Sequence, residues 1–229
     1  MTVLIVGAVR GIGNEVAKRL VSLGHDVIGV GRHVRSPTSD DPFEYIQTDI
    51  VDKEKLENLF NDIKSRNIVI SGIVNCAGAY WPSPAYGKIF PQVEQMINLN
   101  VVGPYNVISR FLELVDPNKH TPIINISSLL ASQINLESMY SASKAAIETY
   151  TRSLAKQVCG TKIRPNCIAP GPLRTSFTKP MPETYFQTLL LCQVIPKEYA
   201  VTDIANLVEL LFDEKSSSLS GQVFHVGGY

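Results

Sequence analysis

No stretch of about 18 apolar residues occurs in the chain, so no membrane-spanning helix is expected. No charge of one sign predominates either: 21 lysines and arginines face 21 aspartates and glutamates. A surface built for a polyanion needs a cationic surplus, so nucleic acid is not an expected partner, and neither is a membrane. Cysteine is scarce. Cys76, Cys159, Cys167 and Cys192 show no C-x-x-C spacing and no histidine pair beside them, which speaks against zinc and leaves no metal expected. The opening "MTVLIVGAVRGIG" has no basic leader segment and runs directly into a glycine motif. It reads as a first strand and not as a signal peptide, which predicts a cytoplasmic protein with reduced, mostly buried thiols. His25, His33, His120 and His225 do not cluster and read as surface or structural groups. Internal repeats and low-complexity linkers are missing as well.

What the chain does contain is an alternation of short apolar runs and amphipathic segments. Strands are expected at 2–7, 26–32, 43–49, 68–78, 121–128, 162–170 and 221–228. Helices are expected at 13–24, 53–66, 139–159 and 202–212, with helical patterns over 88–115 interrupted by Gly103 and Pro104. Apolar strands separated by helices predict a parallel sheet covered on both faces. The expected fold is α/β: one domain over residues 1–229, a single Rossmann-type doubly wound parallel sheet of about seven strands with helices on both faces. Two stretches break the alternation. "RSPTSDDP" (35–42) reads as a loop, and "PGPLRTSFTKPMPETYF" (170–186), with four prolines, as one long irregular insertion.

In an open α/β sheet, ligands bind beyond the carboxyl ends of the strands, and the informative residues fall there. Gly7, Gly11 and Gly13 follow the first expected strand as G-x-x-x-G-x-G. Glycines in that place allow a tight turn and close backbone approach, and the following helix presents free N–H groups to a pyrophosphate. About 20 residues further on, an NAD site places an acidic residue for the ribose 2′-hydroxyl. Here that place holds Gly31, followed by Arg32, and Arg10 lies inside the glycine loop. Two guanidinium groups and no carboxylate suit a 2′-phosphate, which favours NADP(H) over NAD(H). The bland alternative is two surface arginines.

The stretch "YSASKAAIETYTRSLAKQ" (140–157) sets Tyr140 one helical turn ahead of Lys144 on the same face. A tyrosine titrates near ~10 and works as an acid or base near neutrality only when a cation lowers that value. A tuned proton donor and a solvated helix face both remain open on these residues alone. Ser127 and Ser128 are equally readable as strand-end caps, and Asn100 as a kink residue beside Gly103 and Pro104.

Taken together, the motifs resemble those of the short-chain dehydrogenase/reductase family in its shorter, single-domain form. "GAVRGIG" (7–13) is similar to its cofactor loop, "TDI" (48–50) to the turn that contacts adenine, and "NCAG" (75–78) to its N-N-A-G strand end. "NVVG" (100–103) resembles the segment holding its helix asparagine, while "NISS" (125–128) and "YSASK" (140–144) resemble its serine, tyrosine and lysine. "PGPLRT" (170–175) is similar to the loop beside the nicotinamide, and "GQVFHVGG" to the closing strand. The motifs stand in family order and span nearly the whole chain. Val6 replaces a frequent threonine and Cys76 the second residue of N-N-A-G, both expected to be local structural adjustments.

The resemblance implies catalytic roles for Asn100, Ser128, Tyr140 and Lys144. It implies cofactor contacts from Gly7, Arg10, Gly11, Ile12, Gly13, Arg32, Asp49, Ile50, Asn75, Ala77, Gly78, Tyr140, Lys144, Pro170, Gly171 and Thr175. Tyr140 would protonate a carbonyl oxygen, and Lys144 would lower the tyrosine pKa and hold the nicotinamide ribose. Ser128 would hydrogen-bond the substrate oxygen, and Asn100 would anchor a proton-relay water. The expected activity is NADPH-dependent reduction of a ketone, aldehyde or oxoacyl-type carbonyl. An alcohol dehydrogenase working oxidatively with NAD(P)+ and a non-catalytic dinucleotide-binding regulator are its rivals. Tyr80 and Trp81 are candidate pocket residues, and Phe177, Met181, Tyr185 and Phe186 candidate lid residues, which favours a fairly apolar substrate. The resemblance also implies a homodimer or homotetramer built on helices around 100–115 and 139–159, the latter with a small-residue face at Ala142, Ala145 and Ala146.

Overall fold

The structure, a computed structural model, describes residues 1–34, 42–81, 90–133, 135–179 and 181–228. Nearly all of the loop expected at 35–42 lies outside the described residues, as does the middle of 79–90. The strands are β1 (Thr2–Val6), β2 (Asp26–Gly31), β3 (Glu44–Gln47), β4 (Ile70–Asn75), β5 (Thr121–Ile126), β6 (Ile163–Pro170) and β7 (Val223–Val226). They form one seven-stranded sheet in the order β3-β2-β1-β4-β5-β6-β7, with every pair parallel. Between them lie α1 (Gly11–Ser22), α2 (Lys53–Ser65), α3 (Phe90–Ile97), α4 (Gly103–Leu112), α5 (Ser138–Gln157), α6 (Glu183–Leu191) and α7 (Val201–Phe212).

The two-residue period of a strand sorts its side chains between two cores. From β1, Leu4 and Val6 join a cluster with Leu56 and Phe60 of α2, Val107 and Phe111 of α4 and Leu154 of α5. Val3 and Ile5 join the opposite cluster, with Val16 and Leu20 of α1 and Ile204 and Val208 of α7. β5 is buried along its whole length, as a central parallel strand under helices on both faces must be. Strand order reverses between β1 and β4, so the crevice beyond their carboxyl ends is the switch point of the sheet.

Three expectations need correction. Gly103 and Pro104 do not interrupt the helical run. α3 passes through a π turn (Asn98–Val102) directly into α4, which begins with these two residues. Proline is tolerated in a first helical turn because its backbone needs no amide donor there. The proline-rich insertion is not irregular throughout, because "ETYFQTLLL" forms α6 immediately after Pro182 and buries Phe186 and Leu190. The thiols are not mostly buried: Cys167 is, Cys76 is partly so, and Cys159 and Cys192 are exposed. Among the described residues, no helix is long and apolar enough to cross a membrane.

Candidate active site

Beyond Val6 the chain turns sharply into α1. Gly7 and Gly11 take φ values of +87° and +59°, in the left-handed region where a side chain is strained. Gly13 is needed for room: a Cβ there would run into the Gly7 carbonyl. A Cβ on Gly7 would lie 2.7 Å from the Ala77 amide, so the loop rests against the end of β4. Among the described residues the first turn of α1 has no side-chain cap and no acidic residue, which leaves its amides and its positive dipole end available to an anion.

This loop is one wall of a cleft of about 250 Å³. Gly7, Arg10, Gly11, Ile12, Gly13, Arg32, Asp49, Ile50, Ala77, Gly78, Ser128, Tyr140, Lys144, Pro170, Gly171 and Thr175 all line it. Arg10 and Arg32 are exposed on it, Asp49 spends its Oδ1 accepting from the Val51 amide at 3.1 Å, and Thr175 approaches Gly11 from across the opening. Asn75 and Asn100 stand behind the wall, 3% and 2% exposed. Asn75 donates to Asn125 at 2.9 Å, and Asn125 donates to Thr151 at 2.9 Å, which ties β4, β5 and α5 together. Asn100, in the π turn, accepts from the Ala79 amide at 2.8 Å and donates to the Ala79 carbonyl at 2.9 Å and to Ser143 Oγ at 3.0 Å. It clamps the chain leaving β4 onto α5.

The two serines after β5 separate clearly. Ser127 is buried, its hydroxyl 2.8 Å from Glu148 Oε1 and 3.1 Å from the Lys144 carbonyl. Ser128 opens onto the cleft, where its oxygen caps a 3-10 turn by accepting from the Leu130 amide at 3.2 Å. Tyr140 and Lys144 share a face of α5, with the Lys144 ammonium 5.8 Å from the centre of the Tyr140 ring. That ammonium donates to the Ile126 carbonyl at 2.9 Å. Burial pushes the Tyr140 phenol up to about 12, opposed by its hydrogen bond with Ser128. Burial likewise pushes the Lys144 ammonium down to about 8, opposed by the nearby thiols of Cys167 and Cys76. Desolvation, rather than attraction between the two groups, sets both values.

The short-chain dehydrogenase family model matches residues 1–185. The chain belongs to this family. Over 230 residues it is 29% identical to the 3-oxoacyl-(acyl-carrier-protein) reductase MabA of Mycobacterium tuberculosis, covering 99% of this chain and 91% of that protein. It is 26% identical to the 3-oxoacyl-(acyl-carrier-protein) reductase FabG of Aquifex aeolicus, covering 98% of this chain and 95% of that protein. A short chain dehydrogenase family protein of Francisella tularensis shares the fold, with a TM-score of 0.88 at 22% identity over 98% of this chain and 96% of that one. Short-chain dehydrogenases are oxidoreductases that bind a nicotinamide dinucleotide, and two features of this chain fit one: the tight glycine turn, closely packed at Gly7 and Gly13, that leads from β1 to the cleft, and the uncapped start of α1.

The other side of this dehydrogenase's cleft is aromatic. Tyr80 meets Tyr140 edge-on at 5.5 Å between ring centres, and Phe177 lies 6.0 Å from Tyr140 and 6.3 Å from Tyr80. Burial and a hydrogen bond to Glu137 raise the Tyr80 phenol above its ordinary value. Tyr80, Phe177 and Met181 line the cleft, whereas Trp81 packs against the core, Phe186 is a buried residue of α6 and Tyr185 lies off the wall. Arg174 clasps this region. It donates to Glu198 Oε1 at 2.9 Å and to both Glu183 oxygens at 2.8 and 3.0 Å, with its guanidinium 4.4 Å from the Phe186 ring. The sequence reading missed His33, Leu130, Gln133, Leu189 and Gln193 on the cleft wall. Leu189 and Gln193 belong to α6 and its end, which the prolines before it concealed, and only the position of His33 beside Arg32 offered a signal.

Proposed function

We propose that the chain reduces a carbonyl to an alcohol with NADPH. The observation that carries this reading is the convergence of Ser128, Tyr140 and Lys144 on the cleft that also holds the glycine loop, Arg10 and Arg32. When bound, the nicotinamide supplies the hydride. The loop and the first amides of α1 would hold the pyrophosphate, with Ala77, Gly78, Pro170, Gly171 and Thr175 forming the facing walls. Arg10 and Arg32 would grip the 2′-phosphate in forked geometry. Lys144 would hold ribose hydroxyls. Ser128 would hydrogen-bond the substrate oxygen and Tyr140 would give it a proton. A phenol held at about 12 by burial is protonated at neutral pH, but the lowering by Lys144 that the resemblance implies is not among its causes, so the role of Tyr140 as the acid rests on its place beside Ser128 and Lys144. Asn100 keeps one Oδ1 lone pair for a relay water while its other bonds hold the wall. Tyr80, Leu130, Phe177 and Met181 offer the apolar contact that an acyl chain prefers, so an oxoacyl substrate like those named for the relatives fits best.

The test is a titration with NADPH and NADH, followed by nicotinamide fluorescence, and then turnover on short 3-oxoacyl thioesters. NADPH preference that weakens in Arg10→Ala or Arg32→Ala is expected, and equal affinity for NADH would remove the two-arginine argument. Tyr140→Phe should lose turnover by roughly 10²–10⁴-fold and keep NADPH binding. Unchanged turnover in that variant would remove Tyr140 as the acid. We also infer self-association through α4 and α5, where Tyr105 is 53% exposed yet packs on Tyr150 at 5.7 Å, and light scattering would read it directly.

A further inference from the structure

β2 carries two glycines, Gly29 and Gly31, whose side-chain positions fall on one face of the strand. The neighbouring chain fills the space they leave. A Cβ on Gly29 would lie 2.7 Å from the Phe43 ring, and a Cβ on Gly31 would lie 2.8 Å from the Tyr45 hydroxyl and 3.2 Å from Val9 Cγ2. Aromatic side chains lying over glycines of an adjacent strand help to pin strand register.

Tyr45 also makes a bond that a space-filling ring would not. Its hydroxyl donates to the His33 carbonyl at 2.8 Å. Two residues along the same face of β3, the Gln47 amide donates to the Arg32 carbonyl at 3.1 Å. The turn after β2 is thus held by its backbone, while Arg32 and His33 lie on the cleft wall beside Arg10. A side chain at position 31 would have to push the phenol aside, which works against its bond to His33.

We infer that Tyr45 is a specificity-determining positioning residue for the cofactor. Its phenol occupies the space an acidic residue at position 31 would need in order to select NAD(H), and its bond to His33 fixes the Arg32–His33 turn that faces a 2′-phosphate. This rests on the NADP(H) reading above. The consequence is asymmetric: an acid placed at position 31 costs NADPH binding without giving NADH binding, until Tyr45 is cut back.

Four proteins test it: wild type, Tyr45→Phe, Gly31→Asp and the double variant Gly31→Asp/Tyr45→Ser. Each is melted to check folding and titrated with NADPH and NADH. Tyr45→Phe keeps the ring and loses the bond to His33, so NADPH binding weakens roughly three- to tenfold while NADH binding stays within about twofold. Gly31→Asp binds both poorly, and the double variant binds NADH at least roughly tenfold more tightly than Gly31→Asp does. Equal loss of both cofactors in Tyr45→Phe would reduce the tyrosine to a structural role. NADH binding by Gly31→Asp as tight as in the double variant would overturn the claim that the phenol guards this position. Should Gly31→Asp fail to fold, Tyr45→Phe still decides. Wild-type protein that binds NADH as well as NADPH would remove the cofactor reading alone, since the two Gly31→Asp proteins would still report on the phenol.

Discussion

Tyr140 and Lys144 are both buried on one face of α5, and burial moves them in opposite directions. The Lys144 value of about 8 lies below that of a lysine in the unfolded chain, so the folded protein binds fewer protons between those two values. The stability cost of burying the ammonium is therefore complete below about 8 and fades as pH rises beyond it. On the proposed role of Lys144, cofactor binding should run the other way, because the charged form is the better partner for ribose hydroxyls. NADPH affinity should fall roughly tenfold between pH 7 and 9 in wild type and change little in Lys144→Ala, as titrations at several pH values would show. The adjacent serines illustrate what a motif conceals. "NISS" does not say which hydroxyl faces a ligand, because that depends on where β5 stops and the 3-10 turn begins. Ser127→Ala takes the hydroxyl away from the buried Glu148 carboxylate and should cost about 1–3 kcal/mol of stability. Ser128→Ala loses only the cap of the 3-10 turn and should lower the melting temperature by a few degrees at most while lowering kcat. Denaturation and steady-state rates on the two variants check the division, and a stability loss at Ser128 with none at Ser127 would reverse the assignment.

Strands and helices with clean periodicity were legible to within a few residues: β1, β2, α2, β5, α5 and α7 all stand where their apolar patterns put them. Two features were not, for physical reasons. The π turn at Asn98–Val102 adds a residue to a helical turn without breaking it, and no local residue preference marks that; its stabilising bonds, from Asn100 to Ala79, join positions 21 apart. α6 was concealed because prolines before it signal a break, although Pro182 ends the break and "ETYFQTLLL" has ordinary helix formers. The clasp that holds α6 was equally hidden, since Arg174, Glu183 and Glu198 meet only after folding. Its ions are about half exposed, with Arg174 at 48% and Glu183 at 62%, so the clasp contributes little to global stability. Its value is local. Arg174→Gln should change the unfolding free energy by less than about 1 kcal/mol while raising KM for the carbonyl substrate several-fold and leaving NADPH affinity unchanged. In wild type that KM should rise with added salt, and in the variant it should not. A KM independent of both salt and Arg174 would show that α6 holds its place without the clasp.

One sheet with a core on each face has two functionally different ends. The carboxyl ends of the strands carry the cleft, and the amino ends carry the two histidines whose ring nitrogens are buried without partners among the described residues, His25 Nδ1 and His120 Nε2. Both lie against Phe212 at the close of α7: the His25 ring meets the Phe212 ring edge-on at 6.2 Å, and His120 hydrogen-bonds to the Phe212 backbone. Burial holds both below the ordinary histidine value. At His25 the chain amino group adds to this, while a hydrogen bond with the Met1 backbone and the charge of Asp26 oppose it; at His120 Arg164 adds and Glu214 and Asp213 oppose. With folded values below unfolded ones, the unfolded chain takes up more protons as pH falls below about 6.5, and stability drops with it. The carboxylates held low by their partners, Asp52 and Glu183, enter only at more acid pH. The melting temperature should therefore fall between pH 7 and pH 5, and a His25→Asn/His120→Asn protein should fall less. Because these groups sit at the far end of the sheet from Tyr140 and Lys144, the double variant should keep the wild-type pH profile of NADPH binding. A flattened binding profile in that variant would mean that the amino ends of the strands and the cleft respond to acid as one unit, so the separation between the end that stabilises and the end that reacts would not hold.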